Sequence, residues 1–206
     1  MAQGCNKIVA DILKNCANLV PGIKDIAYLI NIDDIDKDNC AFDPSNPQLL
    51  TLLALKTASP ALSAYKIEGY NYSNEHKATL VKKPYQKTWE HTFIFRLFDN
   101  TPEDKEWIAH LSDSRYAVII ENNYNKDYGT HPPAAGRTVF EVLGWDFGLE
   151  LTAAERDANS DELLGGWLLT SGCHDKLKES MPPLTLFVGG SLALTRVAIA
   201  ALSTAW

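Results

Sequence analysis

Residues 87–98 commit this chain to a β-sheet before any other feature is weighed. Trp89, His91, Phe93, Phe95 and Leu97 alternate there with Thr88, Glu90, Thr92, Ile94 and Arg96. A period of two puts the first set on one face of a strand and the second on the other, as a sheet with one buried face requires. Wound as a helix, the same residues would scatter their aromatics around the whole circumference. Trp89, Phe93 and Phe95 are therefore expected in a sheet core. Residues 76–82 are expected to pair with this strand through a turn around Lys83-Pro84-Tyr85, forming an antiparallel hairpin.

The rest of the chain supplies more strands and a few helices. Residues 23–32, 116–121, 138–143 and 167–170 carry β-rich apolar runs. One helix follows the hairpin: Asn100 or Thr101 can cap it, Pro102 suits its first turn, and Glu103 and Asp104 complement its N-terminal dipole. Trp107, Ile108 and Leu111 give that helix an apolar face. Ile8, Val9, Ile12, Leu13 and Cys16 recur at helical spacing until Pro21-Gly22, which predicts an N-terminal helical arm. A C-terminal helix is expected over 192–205. Residues 43–47 and 122–137, rich in Pro, Gly and Asn, read as loops. Thr152-Ala153-Ala154-Glu155 has the form of a capping box, but 156–161 is too polar to sustain a helix, so 152–162 is predicted as a long loop. No repeat or linker divides the 206 residues. The expectation is one α+β domain, mainly antiparallel β, with two or three helices at its edges: an arm over about 1–22, a β core over about 23–190 and a helix over about 191–205.

Composition narrows the function classes. Hydrophobic residues make up 46% and charged residues 22% of the chain, an ordinary globular balance. A net charge of −7 argues against attractive nucleic-acid binding, which needs a basic face to displace phosphate counterions. Cys5, Cys16, Cys40 and Cys173 are scattered without a C-x-x-C pair, so free thiols in a reducing compartment are expected. Neither a basic n-region nor an apolar h-region precedes Cys5, so no export signal is read there. The apolar C-terminal stretch is broken by Gly189-Gly190-Ser191 and carries Arg196. Its uninterrupted part would extend only about 21 Å as a helix, short of a bilayer core, which predicts a packed helix and no membrane insertion.

Local motifs for chemistry are weak. Cys173-His174 places a thiol beside a base, but neighbours on a strand face opposite ways. The cysteines and five histidines lack metal-ligand spacing. The run Asp33-Asp34-Ile35-Asp36-Lys37-Asp38 lacks the glycine and the twelfth-position glutamate of a calcium loop and reads as a solvated acidic turn. Gly165-Gly166 and Gly189-Gly190 are not followed by the residues of a phosphate loop. Asn71-Tyr72-Ser73 matches a glycosylation sequon by chance. Trp89, Trp107, Trp145 and Trp167 admit either a sugar-binding platform or core packing, and packing is the commoner use. No catalytic residue, metal site or cofactor is expected.

A set of strings spread along nearly the whole chain carries a resemblance. They include Gly22-Ile23-Lys24 leading to Tyr28-Leu29-Ile30-Asn31-Ile32-Asp33-Asp34, then Gly69-Tyr70-Asn71-Tyr72, Trp89-Glu90-His91-Thr92-Phe93 and Phe98-Asp99-Asn100-Thr101-Pro102. Val118-Ile119-Ile120-Glu121-Asn122-Asn123-Tyr124, Phe140-Glu141-Val142-Leu143-Gly144-Trp145-Asp146-Phe147-Gly148-Leu149 and Arg156-Asp157-Ala158-Asn159 complete the set. In pattern and order these resemble tail tube proteins of phages and prophages from gut Bacteroidetes. The resemblance implies a β-sandwich or partly closed barrel with flanking helices. It also implies subunits that form rings, commonly hexameric, stacked helically into a conduit for DNA ejection. The expected location is then the virion tail, with the host cytoplasm during assembly, and the expected partners are further copies of the chain and the tape measure, terminator and baseplate proteins. Genomic DNA would pass without specific binding.

On that expectation the acidity has a use, because a lumen lined with carboxylates repels phosphates. Candidate lumenal or subunit-contact acids are Asp33, Asp34, Asp36, Glu90 and Glu141. Two other readings stay open: another ring-forming tail or neck component (terminator, baseplate or head-completion), and a monomeric carbohydrate-binding β-sandwich.

Overall fold

The computed structural model describes residues 21–59, 61–70, 73–123 and 138–203. The expected N-terminal helix, Cys5, Cys16, most of the 122–137 loop and the first two sequon residues lie outside the described residues. In chain order the strands are β1 (Ile23–Asn31), β2 (Ala41–Asp43), β3 (Asn46–Leu52), β4 (Tyr65–Glu68), β5 (Glu75–Lys83) and β6 (Gln86–Leu97). Helix α1 (Pro102–Ser112) follows, then β7 (Tyr116–Asn122), β8 (Phe140–Leu143), β9 (Leu149–Arg156), β10 (Trp167–Cys173), β11 (Leu184–Leu186) and helix α2 (Leu192–Leu202). A single 3-10 turn, Ile32–Asp34, leaves β1. The fold is α+β and mainly antiparallel, sandwich-like, with a sheet that does not close; among the described strands only β11 and β3 run parallel.

β7 is the spine. Its sequence, YAVIIEN, is apolar on both faces because both are covered. Tyr116, Val118 and Ile120 point into a cluster with Phe93, Phe95, Leu149 and Leu169, roofed by Ile108 and Leu111 of α1. Ala117 and Ile119 point the other way, to Leu50, Val142, Leu184, Leu186 and Ile199 of α2. One long edge of β7 pairs with β1; the other meets β8, then the foot of β9 at Tyr116–Leu149. The chain thus passes from β8 to β9 without reversing, swinging from one half of the sheet to the other. Gly144 (φ 69°) and Gly148 (φ 82°) make that swing possible, since both backbones lie in the left-handed region. A Cβ on Gly144 would come within 2.9 Å of Leu149 Cγ.

The hairpin is present: β5 pairs with β6 from Glu75–Ile94 to Lys83–Gln86, which leaves Pro84 and Tyr85 as a two-residue turn. Phe93 and Phe95 are fully buried and stacked at 5.1 Å. Trp89 is a correction. It is half-buried, because β10 stops pairing at Thr92 and Trp89 lies beyond that, bridged instead to Glu179. The helix stands as expected, with Thr101 as N-cap: its hydroxyl accepts the Asp104 amide, and the Asp104 carboxylate accepts the Thr101 amide at 2.9 Å.

Two loops are corrected. Residues 43–47 are not one open loop but a tight turn, Pro44-Ser45, between β2 and β3. The long loop predicted over 152–162 is strand as far as Arg156. There β9 lies in register with β10, Ala153 opposite Thr170 and Ala154 opposite Leu169. The strand over 138–143 shortens to β8, and the one over 167–170 extends to Cys173. Among the described residues no helix is long and apolar enough to cross a membrane.

Candidate functional site

The five candidate acids fall into two groups. Asp33, Asp34 and Asp36 sit on the 3-10 turn and just past it, where the chain leaves β1. Asp34 accepts the Asn31 side-chain amide at 3.0 Å. Asp36 accepts that of Asn39 at 2.7 Å, and this bond holds its carboxyl below the usual carboxylate range. The run borders an open hollow of about 420 Å³ that is also lined by Lys37, Lys56 and Arg115. Lys37 donates to the Asp146 carbonyl at 2.9 Å and Lys56 to the Asp33 carbonyl at 2.6 Å. The surface here is of mixed sign, not a bare acidic wall.

Glu90 and Glu141 lie elsewhere, and both have cationic or ionisable neighbours. Glu90 on β6 pairs with Lys178 at 2.8 Å. Glu141 on β8 meets His76 of β5 at 3.4 Å. Glu90 lies on the face opposite Phe93 and Phe95, whereas Glu141, opposite Ile120 on β7, is largely buried beside His76, and each is already engaged within the subunit.

Buried polar groups that sequence reasoning did not single out lie near the β8–β9 swing. Glu179 is only 1% exposed. Its carboxylate accepts the Asp146 amide at 2.6 Å and the Phe147 amide at 3.1 Å, which pins the connection between the two strands. Burial pushes its pKa up, and the two amides pull the other way. His91, equally buried, accepts the Gly144 amide through Nδ1 at 3.2 Å, so its neutral ring carries the proton on Nε2. Among the described residues that Nε2 has no partner in full hydrogen-bond geometry, the Met181 carbonyl being the acceptor that acts on it. Burial lowers the His91 pKa to about 4, with the Met181 carbonyl and Asp146 opposing. The alternation had placed His91 on the inward face; nothing local distinguishes Glu179, whose partners are 32 and 33 residues away.

Cys173 and His174 have separate partners. The Cys173 thiol accepts the His91 amide at 3.3 Å and is pushed up by burial, whereas His174 Nδ1 accepts the Lys176 amide at 3.2 Å. A thiol held protonated and buried is a poor nucleophile. Cys40 and Cys173 are free. Tyr116 shares a 2.5 Å hydrogen bond with Ser171 inside the core, and burial drives its pKa up. Among the described residues no group of three or more His, Cys, Asp or Glu is arranged to hold a metal ion. Of the four tryptophans weighed for sugar binding, Trp145 is buried and Trp89, Trp107 and Trp167 are half-buried. A cleft of about 220 Å³ between β1, β4 and α1 is lined mainly by Leu29, Tyr65, Trp107, Leu111 and Tyr116.

The most distinctive surface is a sheet edge. β5 ends the sheet, and its outer side is paired with no described strand along nine residues. The hairpin carries Lys77, Lys82, Lys83 and Lys87, a basic end on a chain whose net charge is −7. Leu80 is 40% exposed on this edge and Tyr85 protrudes fully at the turn. Searches of family models, of curated proteins and of solved structures find no match to this chain.

Proposed function

We propose that this chain is a structural virion protein, a tail tube subunit that polymerises as stacked rings into a hollow conduit for DNA ejection. The observation that carries the assembly part of this reading is the free edge of β5. An edge of this length is a template for another chain, and lysines are the usual guard against indiscriminate pairing. Here the lysines give the edge a sign opposite to that of the chain as a whole, so it suits an acidic surface of the next copy. A contact between unlike surfaces closes rings or propagates filaments, which is the geometry of a tube. The tail tube assignment itself comes from the resemblance in the sequence, as do ring number and partner proteins.

Tag-free protein at high concentration should sediment as rings or stacked tubes and appear so by negative-stain electron microscopy. Raising the salt should weaken assembly, because the contact pairs opposite charges. A strictly monomeric species that also fails to enter virions would reject the proposal.

A further inference from the structure

Helix α2, LALTRVAIAAL, has one charged residue, Arg196, yet it lies on the surface. Its inner face is accounted for by Ile199 and Thr195. Its outer face is not: Leu194 is 51% and Val197 66% exposed, and Ala193, Ala200 and Ala201 are exposed beside them. These positions form an apolar stripe at helical spacing, and a helix apolar on all sides normally has cover on all sides.

The position of α2 indicates what covers it. Arg196 reaches Glu121 at 2.6 Å, and Lys24 reaches the same carboxylate at 3.3 Å. Two residues along from Glu121, Asn123 donates its backbone amide to the Gly22 carbonyl at 3.0 Å and its side-chain amide to the Pro21 carbonyl at 3.3 Å. Pro21, to which the preceding segment is joined, is thereby tied two residues along the chain from the carboxylate that holds Arg196 of α2. That preceding segment carries Ile8, Val9, Ile12, Leu13 and Cys16 at the spacing of one helix face, with Lys7, Asp11, Lys14 and Asn15 on the other. As a helix its stripe spans about 12 Å, and the stripe of α2 from Ala193 to Ala201 spans the same length. The link over 17–20 extends at most about 13 Å, which keeps the segment close to its attachment.

We infer that residues 7–17 dock, as an amphipathic helix of the same chain, on the outer stripe of α2. The 124–137 segment, which also starts near Asn123, is a poorer occupant, because Gly129, Pro132, Pro133 and Gly136 interrupt it and it has no helical stripe. The inference is independent of any role in a virion.

Limited trypsin digestion of the full chain, followed by mass spectrometry, tests it, since Lys7 and Lys14 lie in the proposed helix and Lys126 and Arg137 lie in the competing segment. Docking protects the first pair. Val197→Asp, at an exposed position, should speed cleavage at Lys7 and Lys14 by about tenfold and leave Lys126 and Arg137 unchanged, because cleavage follows the undocked population. Ile12→Asp, on the apolar face of the segment itself, should do the same, and the double variant should add nothing. Cleavage at Lys7 and Lys14 as fast in the parent protein as in both variants overturns the inference. So does protection that vanishes on dilution, which assigns the stripe to a second copy, or acceleration at Lys126 and Arg137 instead, which assigns it to the other segment.

Discussion

Lowering the pH from neutrality to about 4 should cost this protein about 3 kcal/mol through His91 alone. The imidazole is almost wholly buried and its pKa falls from 6.5 to about 4. In the unfolded chain the ring takes up a proton near 6.5, and in the folded chain only near 4, so across that window the unfolded state binds more protons. Stability due to this group is therefore fully present above 6.5 and is lost as the pH falls toward 4. At about 1.4 kcal/mol for each pH unit between the two values, the loss comes to about 3 kcal/mol. His91→Asn is the informative perturbation. Its side-chain carbonyl can stand where Nδ1 accepts the Gly144 amide, while the titration disappears. Denaturant unfolding of both proteins at closely spaced pH values gives the difference between them. Glu179, whose pKa is raised, gains stability as the pH falls, but it does so in both proteins and cancels. The variant should be the less stable protein at neutral pH, and the gap should close or reverse by about 3 kcal/mol toward pH 4. A difference that stays flat across the window would refute the claim that the native fold keeps His91 neutral.

Phe93→Ala should cost about 3–5 kcal/mol in reversible unfolding, as for other fully buried phenylalanines, and Trp89→Ala should cost less because that ring is half in solvent. Thr101→Ala should cost about 1 kcal/mol by removing the cap of α1, measured in the same assay. Neutralising Glu90 should change subunit stability by no more than about 1 kcal/mol, since its pair with Lys178 is partly exposed. If the proposed tube forms and Asp33, Asp36 or Glu90 lines it, joint replacement by Lys should slow in-vitro genome ejection more at low salt than at high salt; rates indifferent to both would remove these acids from the lumen.

The legible parts of the fold were those in which neighbours in sequence carry the determining energy. The β5–β6 hairpin was readable because alternation over 87–98 and the Pro84-Tyr85 turn agree. Helix α1 was readable because its cap, its proline and its apolar face all lie within twelve residues of sequence, from Thr101 to Ser112. β9 was misread past Thr152, where Thr152-Ala153-Ala154-Glu155 imitates a helix start and the polar residues after it imitate a loop. Hydrogen bonding in register along β10 overrode both local preferences. Trp89 was misplaced for a related reason: pairing with β10 ends at Thr92, and beyond it the burial alternation breaks, with Thr88 buried and Trp89 half-buried.

The candidate acids divide the same way. Sequence could place Glu90 opposite the aromatic face, and it could place Asp33, Asp34 and Asp36 in a turn, because side-chain direction follows from strand period and turn composition. It could not supply their neighbours. Lys178, His76, Lys56 and Arg115 reach these sites from distant parts of the chain, and a charge of known sign becomes a surface of known sign only when those partners are in place. Glu179 is the extreme case. As a residue in a lysine-, serine- and proline-rich stretch it reads as solvated, yet the fold buries it to hold the amides of Asp146 and Phe147. By itself the sequence determined which segments are strands or helices wherever the period was unbroken, and which faces they bury. Which strands meet, where a covering strand stops and which charges are taken out of water were decided by the tertiary structure, because those depend on contacts between residues far apart in the chain.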